Sequence, residues 1–183
     1  FDLAVAAVVL ASMQKVPAEN LRGLMIAGEL SLSGQVLGIP GVLALAEAAR
    51  TAGASRCIVP SVNAAEGALI GNVEVIGVTE LAELIELLRH PEQGKRVFVD
   101  GGLLLKKSVQ SEEDFSQING QKTVRRAAEI AAAGMHNFLM IGPPGSGKTM
   151  IARRIPGILP ALSLEESLRI TKIYSVAGLL EPE

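Results

Sequence analysis

The 183-residue sequence has no tryptophan, one tyrosine, four phenylalanines and a single cysteine. With aromatics at 3% and apolar residues at 49% of the chain, any core must be assembled from Ala, Val, Leu and Ile packed closely at glycines. One cysteine, Cys57, excludes an internal disulfide and fits a reducing compartment. Beside it stand only two distant histidines, His90 and His136, which leaves no Cys/His metal cluster. Excess charge is missing too: a formal net charge of −2 excludes nucleic-acid binding through bulk positive charge. The longest stretch free of Asp, Glu, Lys, Arg and His, residues 30–46, is broken by Gly34, Gly38, Pro40 and Gly41, so no membrane span or membrane partner is expected. The chain opens at Phe1 in the middle of an apolar helical pattern, with no basic leader and no small-residue cleavage site. It reads as a piece of a longer, cytoplasmic protein.

What is present is unevenly distributed. Residues 1–90 carry 5 basic and 9 acidic side chains, and residues 91–183 carry 12 and 10. Within 122–154, Lys122, Arg125, Arg126, Lys148, Arg153 and Arg154 face only Glu129, which leaves a local anion partner open. Residues 3–13 are apolar on nearly every face and predict a buried helix ending near Pro17. Residues 24–30 and 35–39 flank a Ser33-Gly34 turn and read as a hairpin. Pro40 opens an Ala-rich helix to about Thr51, with Gly53 placed to end it. Residues 57–59 and 73–78 read as strands, and Asn63 with Glu66 as a helix N-cap pair. Thr79 is expected to cap a helix over 80–89 with Leu81, Leu84, Leu87 and Leu88 on one face.

From His90 no long period survives, and 90–113 reads as a linker. After it come a helix over 121–133 stopped by Gly134, a short buried strand at 138–141, and a helix from Lys148 toward Ile155 that Pro156 interrupts. A last helix, capped by the 163–166 box, runs to about Val176. The expected organisation is a first domain at 1–89, the linker, and a second domain at 114–183.

One motif carries chemistry. Gly142-Pro143-Pro144-Gly145-Ser146-Gly147-Lys148-Thr149 fits G-x-x-x-x-G-K-[ST], between an apolar segment and a helix pattern. Glycines there let backbone N–H groups converge on phosphate oxygens, the lysine neutralises them, and the threonine hydroxyl can hold Mg²⁺. ATP and Mg²⁺ are therefore the expected cofactors, with Thr149 the metal-facing residue. The leader 115–121 lies at a distance suited to covering an adenine, and His136 and Asn137 read as polar entry to the strand. A P-loop ATPase also needs an acid at the end of a later strand. No such strand follows Thr149, and Glu165 and Glu166 lie in a helix cap. No catalytic residue is assigned, and the chain alone is expected to bind nucleotide weakly and hydrolyse nothing.

Phe115-Ser-Gln-Ile-Asn-Gly-Gln121, the run from His136 through Thr149, Ile155-Pro-Gly-Ile-Leu-Pro160 and Lys172-Ile-Tyr-Ser-Val-Ala-Gly178 resemble the magnesium-chelatase-like branch of AAA+ ATPases. Taken nearly end to end, the chain resembles the competence protein ComM family within that branch. Gly28-Glu29, Gly34, Val36-Leu37, Ile39 and Gly41, then Ile58-Val59-Pro60 with Asn63, are similar to the Lon proteolytic domain. The resemblance implies a mixed α/β and α+β fold: a Lon-protease-like domain joined to an incomplete P-loop AAA+ αβα module. It further implies a homo-hexameric ring driven by ATP, with branched DNA as a partner, and puts the later acidic, sensor and arginine-finger residues outside the chain.

The Lon-type dyad pairs a serine with a lysine. The serine would fall before Phe1, and the position of the lysine holds Leu43, which cannot move a proton. Ser31, Ser33 and Lys15 read as surface features, so the domain is expected to be proteolytically inactive. An ATP-dependent protease is thus disfavoured. A chelatase subunit inserting Mg²⁺ into a porphyrin shares the P-loop half, and the Lon-like half favours the ComM type.

Overall fold

The computed structural model describes residues 1–101 and 114–180, which form mixed α/β structure in two compact units. The first unit comprises Phe1–Gly101 together with Glu165–Glu183, and the second Gly102–Leu164.

The first unit is built around three parallel strands, β1 (Leu24–Ile26), β4 (Arg56–Pro60) and β5 (Glu74–Val78), in the order β1-β4-β5. The central strand β4 is buried along nearly its whole length, as a parallel strand covered on both faces must be. Cys57 and Val59, with Val75 opposite Cys57, face α2 (Val42–Thr51) and α3 (Ala64–Ala68). Ile58 and its partner Ile76 face α1 (Asp2–Ser12) and α4 (Leu81–Arg89). Alternation at period two thus divides one strand between two cores. Gly77 is needed for this closeness, because a Cβ there would stand 2.9 Å from the Cα of Ser61 and 3.0 Å from the Cβ of Ala64. Burial pushes the Cys57 thiol up to about 11.

Several local expectations shift. Residues 24–30 do not form one strand. β1 joins the parallel sheet, and only β2 (Glu29–Leu30) pairs with β3 (Val36–Leu37) as a hairpin. The break falls at Ala27-Gly28, where a Cβ on Gly28 would meet Leu3 at 3.0 Å. α1 buries Leu3 and Ala7 but exposes Val5, Val8, Val9 and Met13, so its all-round apolarity does not make it a buried helix. Asn63 and Glu66 cap no turn of their own helix. The Asn63 Oδ1 accepts from the Ile39 N–H at 3.0 Å and the Glu66 Oε1 from the Leu43 N–H at 2.9 Å, so the pair serves the entry of α2. The N-cap of α4 is Glu80 and not Thr79, whose N–H instead donates to the Glu83 carboxylate at 2.6 Å. Gly53 does end α2, at φ 72.

The boundaries also fall elsewhere than the sequence placed them. Val97 donates to the Val75 carbonyl at 2.9 Å and Arg96 bridges antiparallel to Ile76, so the first part of the expected linker lies along β5. Residues 102–113 of that linker lie outside the described residues. The last helix, Leu164–Val176, belongs to the first unit from Glu165 onward and buries Ser175. Its Ser175 carbonyl accepts from the Gly41 N–H at 3.0 Å, its Lys172 Nζ meets the Glu47 carboxylate at 2.5 Å, and the Ser175 hydroxyl donates to Glu66.

The second unit has a small core of Phe115, Ile118, Ala128 and Ile151, with Phe138 and Met140 packed on it. Its helices are α5 (Lys122–Ala133) and α6 (Lys148–Arg154), the latter followed by a 3₁₀ turn, Ile155–Ile158, that contains Pro156. The expected strand at 138–141 is extended but unpaired: no neighbouring strand runs beside it among the described residues. Phe138 and Met140 turn inward, while Leu139 and Ile141 are 81% and 90% exposed. α5 stops as expected after Ala133, yet Met135 and not Gly134 takes the left-handed turn, at φ 51. A Cβ on Gly134 would lie 2.4 Å from the exposed His136 ring, which would have to swing aside.

Glu74 ties the sheet to its flank: its carboxylate meets the Arg56 Nε at 2.9 Å and the Arg96 Nε at 3.5 Å, and Arg56 also donates to the Pro91 carbonyl at 2.9 Å. Burial by itself would raise the Glu74 pKa, but hydrogen bonds and charge from Arg56 and Arg96 outweigh it and hold the carboxyl below its ordinary value. Glu74→Gln is expected to lower unfolding free energy at neutral pH by about 1.5–3 kcal/mol, the range for hydrogen bonds to charged groups. A lowered pKa stabilises above the unfolded value and is lost as pH falls through the folded one. Urea midpoints of variant and parent should therefore converge in acid, and a gap constant with pH would refute the assignment.

Candidate phosphate-binding site

The loop 142–149 connects the extended segment to α6 within the second unit. Gly145 and Gly147 stand at φ 77 and φ 81, conformations that side chains rarely adopt. Such alternation turns successive backbone N–H groups to one side and makes an anion nest. Gly147 is the N-cap of α6, and its carbonyl accepts the first helical bond from the Ile151 N–H at 3.0 Å. The Lys148 ammonium lies over the loop, donating to the carbonyls of Gly142 and Pro143 at 2.8 Å each and to the Ser146 hydroxyl at 3.1 Å. Pro143 and Pro144 fix the approach to the turn. Thr149 is exposed, on the first turn of α6.

Beside the loop is a cavity of about 590 Å³, within the range that small ligands use. Gln121, Thr123 and Val124 at the start of α5 line it opposite Gly142, Ser146 and Lys148. The loop thus has two left-handed glycines, a cation and adjoining room. Of the leader expected to cover a base, Phe115 and Ile118 are buried in the core, with the Arg125 guanidinium 5.9 Å from the Phe115 ring centre. Only its end, at Gln121, reaches the cavity.

The basic cluster is largely engaged. Arg126 pairs with Glu129 at 3.1 Å, Arg125 donates to the Ile118 carbonyl at 3.1 Å, and Arg154 donates to Gln117 at 3.1 Å. Lys122 and Arg153 are exposed. His136 and Asn137 are exposed at the entry to the extended segment. Glu165 and Glu166 stand in the first turn of the last helix, in the first unit. Sequence reading attached no role to the Gln121 amide, which donates to the Ser146 carbonyl at 2.7 Å. The signal available was Gly120-Gln121 opening a helix without a usual cap residue.

In the first unit, Leu43 lies on the first turn of α2, fully buried. Ser31 and Ser33 share a hydrogen bond of 2.9 Å at the hairpin turn, and Lys15 is exposed.

Among known proteins, the family model described as magnesium chelatase, subunit ChlI, matches residues 114–183. A second, described as subunit ChlI of Mg-chelatase, matches residues 1–63. An uncharacterized protein of Mycobacterium tuberculosis (strain H37Rv) is 42% identical over 180 residues, covering 98% of this chain and 35% of the relative. Uncharacterized protein YifB of Escherichia coli (strain K12) is 36% identical over 97% of the chain and 34% of its own length. Competence protein ComM of Haemophilus influenzae is 32% identical over 96% of the chain and 35% of its own length. The chain therefore spans about a third of the length of the curated relatives it matches.

Gly147→Ala puts a Cβ at positive φ with the nearest side-chain atom at 3.4 Å, so its cost is mainly backbone strain. It is expected to destabilise the second unit by about 1–2 kcal/mol. Hydrogen exchange at Ile151, whose N–H bonds to Gly147, should speed up accordingly, and unchanged protection there would contradict the loop geometry.

Proposed function

The chain belongs to the AAA+-type, magnesium-chelatase-like family that includes competence protein ComM, and on that premise we propose that it supplies the nucleotide-loading loop of an ATP-driven motor. The observation that carries this reading is the loop itself: two left-handed glycines, Gly145 and Gly147, with the Lys148 ammonium held over them beside a cavity. On binding ATP, Lys148 exchanges its contacts with Gly142, Pro143 and Ser146 for phosphate oxygens, so that its ammonium meets anionic acceptors in place of neutral ones. Backbone N–H groups of 145–149 hold the same oxygens, and the Thr149 hydroxyl is the donor suited to Mg²⁺, which neutralises charge developing on the phosphates when bound. The acid that polarises water is not among the described residues after Thr149, so hydrolysis is assigned to the longer protein.

The reading extends to a homo-hexameric ring that processes branched DNA, on the strength of alignment along nearly the whole chain to competence protein ComM. A chelatase subunit delivering Mg²⁺ to a porphyrin shares the loop, and the two are separated by whether ATP turnover responds to branched DNA or to porphyrin. The N-terminal part is read as a Lon-like fold without protease chemistry, because buried Leu43 fills the lysine position.

Lys148→Ala in the full-length protein is expected to abolish ATP turnover while leaving the melting temperature within a few degrees, and normal turnover would overturn the assignment. A serine-directed fluorophosphonate should leave that protein unlabelled. Stoichiometric labelling of one serine would return the protease reading to first place.

A further inference from the structure

We infer that Gln121 is a positioning residue for the phosphate loop, fixing the Ser146–Gly147 peptide so that the Gly147 N–H faces the anion. The inference rests on the nucleotide reading above. Its starting point is a strained backbone: Gln121 stands at φ 45 and ψ 44, directly after Gly120 at φ 78. A non-glycine residue in the left-handed region is strained, and glycine would occupy the position without that strain. A glutamine at a strained helix start points to work by its side chain.

That side chain has a defined target. Its Nε2 donates to the Ser146 carbonyl at 2.7 Å, across 25 residues of sequence, and lies 3.4 Å from the position of a Cβ on Gly147. The peptide it holds is the one most free to turn over, because Gly147 lacks a Cβ and Gly145 stands two residues before it, both at positive φ. In a trans peptide, C=O and N–H point in opposite directions. Holding the Ser146 carbonyl toward Gln121 therefore turns the Gly147 N–H away from it, as a nest for phosphate requires. If that peptide turned over, a carbonyl oxygen would face the phosphates in place of a donor. Gln121 also lines the cavity beside the loop, so the same residue invites a second assignment, contact with the base, that the test must separate.

The test compares Gln121→Gly, Gln121→Met and Lys148→Ala in the full-length protein, by displacement of a fluorescent ATP analogue with ATP and with inorganic tripolyphosphate. Gln121→Gly removes the amide while relieving the backbone, so its melting temperature should hold or rise. Both Gln121 variants should weaken ATP and tripolyphosphate alike, about fivefold or more, the equivalent of one hydrogen bond. Weakened ATP with unchanged tripolyphosphate would mean that Gln121 reads the base, and overturns the inference. Unchanged binding of both ligands in the Gln121 variants, with binding lost in Lys148→Ala, overturns it while leaving the nucleotide reading intact. Full binding in Lys148→Ala removes both.

Discussion

Burial of the central strand β4 on both faces is the constraint from which the first unit follows. Five residues, Arg56–Pro60, present side chains alternately to two cores, and each core needs a pair of helices to close it. Closing it without large aromatics requires near approach of backbones, which small residues allow: Gly77 against Ser61, Gly67 against Val42 and Val75, and Ala46 and Ala49 fully buried. On β4 itself, Arg56 at the first residue is paired with Glu74 at the rim. Scarcity of Trp, Tyr and Phe is thus a geometric condition of this layer spacing.

Strong local signals were legible in the sequence. Strands β4 and β5, the helices at 42–51, 81–89 and 122–133, and the glycine turn at 142–147 all follow from periodicity, glycine and proline, because each is decided by residues close in the chain. What escaped was decided by partners far away. Asn63 and Glu66 have the spacing of a cap, yet their oxygens bind N–H groups 24 and 23 residues distant. Residues 138–141 have a strand's alternation, but a ladder needs a neighbour, and no local pattern supplies one. The apolar excess of α1 could not say which of its faces would be covered. In the candidate site the glycine turn was readable in the sequence, whereas the Gln121 contact depends on a side chain crossing 25 residues.

Glycine serves in two ways. In the first, Gly77 and Gly28 are empty volumes into which neighbours fit. In the second, Gly145 has open space around it, and the value of its missing side chain is purely torsional. A loop that must present N–H groups to an anion needs the second property and gains nothing from the first. The Lys148 ammonium completes this arrangement by binding the loop's own carbonyls, so the loop carries its own internal cation.

The last helix belongs by sequence similarity to the module that begins at residue 114, while Gly41, Glu47 and Glu66, which receive it, belong to the other. Inheritance and packing are therefore offset by one helix. A recombination event exchanging the module at its sequence boundary would deliver this helix to a seat that had evolved for another, with Ser175 buried against an unmatched surface. The two parts are joined through that seat as well as through the chain.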